Sequence, residues 1–173
     1  MSNSSNKKLS PKSLFGFGPS KKWQILEKIF GIKIAINLYP PFRGAGIKVN
    51  YVSPNFNEVQ VQLKLNFGNR NYVNTQFGGS LYSMTDPWYM LMLMRQLGTN
   101  YIVWDKSATI EFVKPGLSKV MATFKVTEAD LAAIQELLQN SKKTDYTFNQ
   151  DITDEAGQVV ARVHKVLYIR KLK

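Results

Sequence analysis

The sequence predicts an α+β domain in which a long apolar helix is wrapped by a curved antiparallel sheet of about six strands. Three observations carry this expectation. Residues 80–97 include Leu81, Met84, Trp88, Tyr89, Met90, Leu91, Met92, Leu93, Met94 and Leu97, and a helix that is apolar nearly all round must be enclosed on most sides. Residues 58–67 alternate Val59, Val61, Leu63, Leu65 and Phe67 with Gln60, Gln62, Lys64 and Asn66, the pattern of a sheet with one buried and one wet face. Further strand patterns follow the helix, and an antiparallel meander can bury it only by curving around it.

The elements follow in order. Residues 1–19 are polar, basic and rich in serine and glycine, a composition expected to stay disordered. They lack the continuous apolar segment of a secretory signal. Residues 20–38 read as an amphipathic helix with Ser20 as N-cap. Its apolar stripe is Trp23, Leu26, Ile29, Phe30, Ile34 and Leu38, with a break expected near Gly31. Packing against the domain or a partner subunit is the expected use of that stripe. A membrane-surface contact is the alternative, because Lys21, Lys22, Lys28 and Lys33 lie among its apolar residues. The Pro40-Pro41 pair and Gly44-Ala45-Gly46 open a turn, and residues 47–52 form a first strand before the alternating one.

After Gly78-Gly79 comes the apolar helix, which Pro87 should kink or restart as a second piece. Strands are expected over residues 101–113 and 119–127, a short helix over 129–138 capped by Thr127 or Glu128, and a closing hairpin of residues 144–153 and 158–170 around Asp154-Glu155-Ala156-Gly157. Residues 20–173 thus read as one domain.

Composition excludes several function classes. The chain of 173 residues has no cysteine and one histidine, which removes disulfides, thiolate metal sites and a cysteine nucleophile and leaves no multi-histidine metal site. His164 alternates with Val163 and Lys165 on the last strand, a position expected to serve structure or surface. The net charge is +11, but the positive residues are scattered, without a dense basic helix or RNA-binding aromatic signature, which argues against nucleic acid as the main ligand. No stretch reaches the roughly 18 apolar residues of a spanning helix, and the protein is read as cytoplasmic.

The stretch from Asn71 to Asp86, NYVNTQFGGSLYSMTD, resembles the signature of hotdog thioesterases of the phenylacetate-degradation type. That signature runs Asn, two residues, Gly, two residues, His-Gly-Gly, six residues, Asp. Asn71, Gly78, Gly79 and Asp86 fall in register. Phe77 stands at the histidine position and Asn74 at the first glycine. WDKSATIEFVKPGLSKVMATFKV resembles the superfamily's central strands and DEAGQVVARVHKVLYIRK its closing hairpin. The whole chain, including NLYPPFRGAG, resembles more closely still a bacterial hotdog family of unassigned function.

The resemblance implies a hotdog fold, an acyl-coenzyme A or related acyl-thioester substrate, and a homodimer or dimer of dimers whose neighbouring subunit completes the site beside Gly79. It implies no metal or redox cofactor, coenzyme A entering only as part of the substrate. It places the catalytic carboxylate on Asp86, as a base activating water or as the attacking nucleophile.

Thioester hydrolysis also needs donors for a developing oxyanion. The Gly78-Gly79 start of the helix offers backbone N–H groups and a positive helix end, with no Cβ in the way. Asn71 is a candidate donor to the substrate carbonyl or water, or else a turn-forming asparagine. Phe77, Gly78 and Ser83 are candidate substrate-binding residues. Asp86 is the one acidic residue between Glu58 and Asp105 and sits in an apolar helix, where a carboxylate needs a partner or a use. Capping a helix that starts at Pro87 is its structural alternative. Asp105 is expected at a strand end, the four methionines as core filling or an acyl tunnel, and Arg95, Lys106, Lys114, Lys119 and Arg162 are loose candidates for coenzyme A phosphates. A non-catalytic acyl-thioester or lipid binder, with Phe77 filling part of the site, is the rival reading.

Overall fold

The computed structural model describes residues 20–172, so the polar tail expected over residues 1–19 lies outside the described residues. The elements run α1 Lys21–Asn37, α2 Pro40–Ala45, β1 Ile47–Val52, β2 Glu58–Leu63, α3 Gly78–Ser83, α4 Trp88–Leu97, β3 Tyr101–Phe112, β4 Val120–Lys125, α5 Glu128–Leu137, β5 Lys143–Asp154 and β6 Val159–Lys171. The six strands form one sheet in the order β1-β2-β4-β5-β6-β3, antiparallel at every pairing. Register shifts at Val49/Tyr51, Asp105/Ser107 and Ile152/Thr153 bend the strands, as bulges do. Among the described residues no helix is long and apolar enough to cross a membrane.

The apolar helix is enclosed as expected, but in two pieces. The helix breaks after Ser83 and restarts at Trp88, because Pro87 has no N–H to give the preceding turn. Trp88, Tyr89, Met92 and Leu93 of α4 are buried, as is Met84 in the break, while Met90 and Met94 are partly buried against the same cluster. The methionines thus pack with the core. The Trp88 ring lies 5.7 Å from Phe42 and 6.1 Å from Phe124, and its Nε1 donates to the Met84 carbonyl at 2.7 Å. Tyr89 stacks on Phe148 at 4.1 Å and meets Phe124 edge-on. It thereby sits between β4 and β5 beyond the two residues through which each pairs with the other.

Three expectations change. First, Gly31 sits at φ 75° and ψ 158°, which resets the helical phase inside α1. The second half then buries Ala35 and Ile36 and turns Ile34 and Leu38 of the expected stripe outward; ahead of the break Trp23 packs on the core as expected, while Ile29 and Phe30 are exposed. Second, the alternating strand stops at Leu63 rather than Phe67. β1 begins opposite it at Ile47, and side-chain amides take the next carbonyls: Gln76 Nε2 donates to Leu63 O at 3.1 Å and Asn69 Nδ2 to Lys64 O at 2.7 Å. Phe67 is left fully exposed. Third, Asp105 lies within β3, opposite Leu167 of β6, not at a strand end.

Ser20 caps α1 as expected, accepting from Trp23 N. Thr127 caps α5 in a reciprocal box with Asp130, whose carboxylate accepts from Thr127 N at 2.8 Å. Tyr146 Oη donates to the same carboxylate at 2.8 Å. Burial, and then this bond to Asp130, push the Tyr146 hydroxyl up to about 12. Thr127→Ala should cost about 1 kcal/mol, read as a lower denaturant midpoint with an unchanged slope.

Candidate active site

Asp86 lies three residues past the end of α3, in the break that Pro87 creates. It caps no helix, since α4 starts without a side-chain cap bond. Nor is it buried: about half of its side chain is exposed. Its Oδ1 instead accepts from Lys165 Nζ at 3.1 Å.

Lys165 is a residue that sequence reasoning missed. Along β6 the alternate positions Ala161, Val163, Lys165, Leu167 and Ile169 are buried, so the lysine faces inward with the apolar residues. The same Nζ lies 3.2 Å from Asp105 Oδ2. A buried ammonium needs such partners, because desolvating an unpaired charge costs several kcal/mol. Burial pushes the Asp105 carboxyl above the usual carboxylate range, against the opposing pull of Lys165. Its other oxygen, Oδ1, is buried without a hydrogen-bond partner. The signal was present in the sequence: period-two alternation puts a lysine on the apolar face of the last strand.

Asn71 holds a loop. Its Oδ1 accepts from Val73 N and Thr75 N, each at 3.0 Å, and its Nδ2 donates to Thr75 Oγ1 at 2.8 Å. Asn74, standing where the signature has glycine, adopts φ 63°, a left-handed conformation that asparagine tolerates better than other side chains. The loop ends at buried Gln76, whose amide donates to Leu63 O and Ser118 O and so fixes where α3 begins.

At that start two aromatic rings lie against the glycines. A Cβ on Gly79 would come 2.5 Å from the Phe77 ring, and one on Gly78 would come 2.9 Å from the Phe112 ring. Both rings are about half exposed. The first N–H bonds of the turn run from Ser80 and Leu81 to Phe77 O, which leaves the N–H groups of Gly78 and Gly79 ahead of the helical ladder. Ser83 is half-buried at the end of α3. Thr85 Oγ1 donates within the turn to Tyr82 O.

The other candidates are engaged elsewhere. Arg95 pairs with Glu27, Lys106 with Asp145, Lys114 with Asp154, Lys119 with Glu155 and Arg162 with Asp151. His164 faces outward, its Nδ1 2.7 Å from Asn149 Oδ1. A surface depression of about 410 Å³ lined by His164, Arg162 and Asn149 lies on the opposite face of β6 from Lys165.

A curved antiparallel sheet closed over a central helix, with a carboxylate just past a Gly-Gly helix start, defines a hotdog-fold protein. The chain belongs to the family described as domain of unknown function DUF4442, whose pattern matches residues 28–169. No curated protein matches the sequence. Among solved structures, a Pseudomonas aeruginosa protein described as a probable thioesterase superposes with a TM-score of 0.64 at 16% identity, over 89% of this chain and 97% of its own. A Haemophilus influenzae thioesterase gives 0.57 at 12% identity over 79% and 87%. The E. coli PaaI protein from the phenylacetic acid degradation operon gives 0.54 at 16% identity over 81% and 89%. At these identities the likeness is one of fold.

Proposed function

We propose that this protein binds acyl thioesters, such as acyl-coenzyme A, and hydrolyses them with Asp86. One observation carries the reading: a half-exposed carboxylate, tied from beneath to a buried lysine, stands one short helix beyond the Gly78-Gly79 N–H groups. Asp86 takes a proton from water, the water oxygen attacks the carbonyl carbon, and the thioester C–S bond breaks. The thiolate then collects the proton, giving a carboxylic acid and a thiol. Gly79 and Gly78 N–H groups face the developing oxyanion, Asn71 holds the loop ahead of them, and Phe77 and Ser83 border the acyl group. Acyl-coenzyme A substrates of short, long and aryl type, followed by coloured thiol release, test this directly. No turnover by wild type across all three would remove it.

That outcome would favour the second reading, a non-catalytic acyl-thioester or lipid binder. The Phe77 ring against Gly79 is the observation in its support, since a ring there competes with a carbonyl. Binding of a non-hydrolysable acyl thioether by calorimetry, without turnover of the thioester, would establish it.

The site is proposed to work in a homodimer, alone or paired into a dimer of dimers, in the cytoplasm. The sheet has two outer strands, and they differ. On β1 the Asn37 side chain already takes Val49 N at 2.8 Å and Val49 O at 3.0 Å. β3 pairs with β6 on one side only, so its outer edge can continue into a second copy. Light scattering that gives a monomer at micromolar concentration would refute the dimer.

The face of α1 around Ile25 and Ile29 supports a peripheral contact with an anionic membrane. Both side chains are more than half exposed, Lys21, Lys22 and Lys28 flank them at helical spacing, and the one acid on the helix, Glu27, pairs with Arg95. Flotation with vesicles containing anionic phospholipid should be lost in the Ile25→Ser/Ile29→Ser variant and in neutral vesicles.

A further inference from the structure

Lys165 is the most deeply buried charged side chain among the described residues, at 2% exposure, and hydrolysis by Asp86 as written above does not use it. Its neighbours come from three elements. Asp86 Oδ1 is 3.1 Å away beyond α3, Asp105 Oδ2 is 3.2 Å away on β3, and the Tyr82 ring of α3 stands 6.0 Å from the ammonium. The lysine stem is walled in along β6, while Asp86 keeps about half of its surface open. The ammonium therefore grips the carboxylate from the protein side.

We propose that Lys165, seated between Asp86 and Asp105, is the positioning residue of the thioester site, fixing which Asp86 oxygen is turned toward the substrate. This rests on the hydrolase reading above. A carboxylate on an exposed turn has two equivalent oxygens and a soft terminal torsion. A charge-assisted bond to one oxygen removes that freedom and leaves Oδ2 for water or the thioester carbonyl. Asp105 completes the device. Two carboxylates share one ammonium, so the cluster carries a net negative charge at its open end, on Asp86. Asp105 holds the same ammonium from β3, so Lys165 is fixed from two sides. Asp105 does not meet substrate and acts through Lys165 alone.

The test compares wild type, Asp86→Asn, Lys165→Met and the double variant Lys165→Met/Asp105→Asn. The double variant removes both buried charges together and so leaves neither unpaired. Steady-state thiol release is expected to show kcat reduced about tenfold or more in both Lys165 variants, with KM within about threefold of wild type. That split marks lost orientation rather than lost binding.

A folded Lys165 variant with wild-type kcat would overturn the proposal while leaving the hydrolase reading intact. Wild type inactive on every thioester would instead overturn the hydrolase reading, and the positioning role with it. Should neither Lys165 variant fold, the Lys165 ¹⁵Nζ resonance decides. It should be sharp and slow in solvent exchange in wild type and should shift in Asp86→Asn. A signal unaffected by Asp86→Asn would overturn the proposal.

Discussion

Asp86→Asn should abolish acyl-thioester turnover while leaving the fold intact. The amide keeps the size and shape of the side chain. Lys165 keeps Asp105 as its counter-charge at 3.2 Å, so no buried ammonium is orphaned. α4 starts without a side-chain cap bond, so no helix cap is lost. What disappears is the ability to take a proton or attack a carbonyl, because an amide is neither base nor nucleophile at neutral pH. A positioned general base contributes about a hundredfold or more. The expected result is therefore kcat lowered by at least about that factor with the melting temperature little changed. Turnover at the full wild-type rate in Asp86→Asn would remove Asp86 from the chemistry.

Trp88→Ala should be the most destabilising single substitution of the core. Trp88 is fully buried, sits between Phe42 and Phe124, and ties α4 to the break through its bond to Met84 O. Removing so large a ring from a closed site costs about 3–5 kcal/mol, and the Met84 carbonyl loses a donor besides. For a chain of this size the melting temperature should fall by about 10 °C or more. Trp88→Phe separates the two contributions, since it keeps most of the ring but not the N–H; about 1–3 kcal/mol is expected from the unsatisfied carbonyl. Urea unfolding of the three proteins measures this, and a Trp88→Ala midpoint equal to wild type would contradict the packing described.

Much of the fold was legible because it is written in local periodicity. The strand from residue 58 follows from alternation, and the helix around residues 128–138 from a cap–helix pattern. The break at Pro87 follows from a missing N–H, and the closing hairpin from glycine at residue 157, which adopts φ 76°. Where reading by pattern failed, a side chain from a distant segment had intervened. The strand expected to reach Phe67 ends at Leu63 because Asn69 and Gln76 claim its carbonyls. Past Gly31, Ile34 and Leu38 of the α1 stripe face outward because one glycine conformation rotates everything after it. The burial expected for Asp86 followed from its apolar neighbours in sequence, yet a turn carries it out to the surface.

Sequence alone determined the fold class, the order of elements, the Gly-Gly helix start and the carboxylate eight residues after Gly78. All of these depend on residues close together in the chain. Only the tertiary structure decided what that carboxylate touches. Lys165 stands 79 residues from Asp86 along the chain, and Asp105 reaches the same ammonium from the neighbouring strand. The alternation of β6 says that a lysine faces the core. Which acids meet it depends on the register that sets β3 against β6 and on the turn that swings Asp86 over them. Both are set by the packing of the whole sheet around its broken helix, not by any local run of residues.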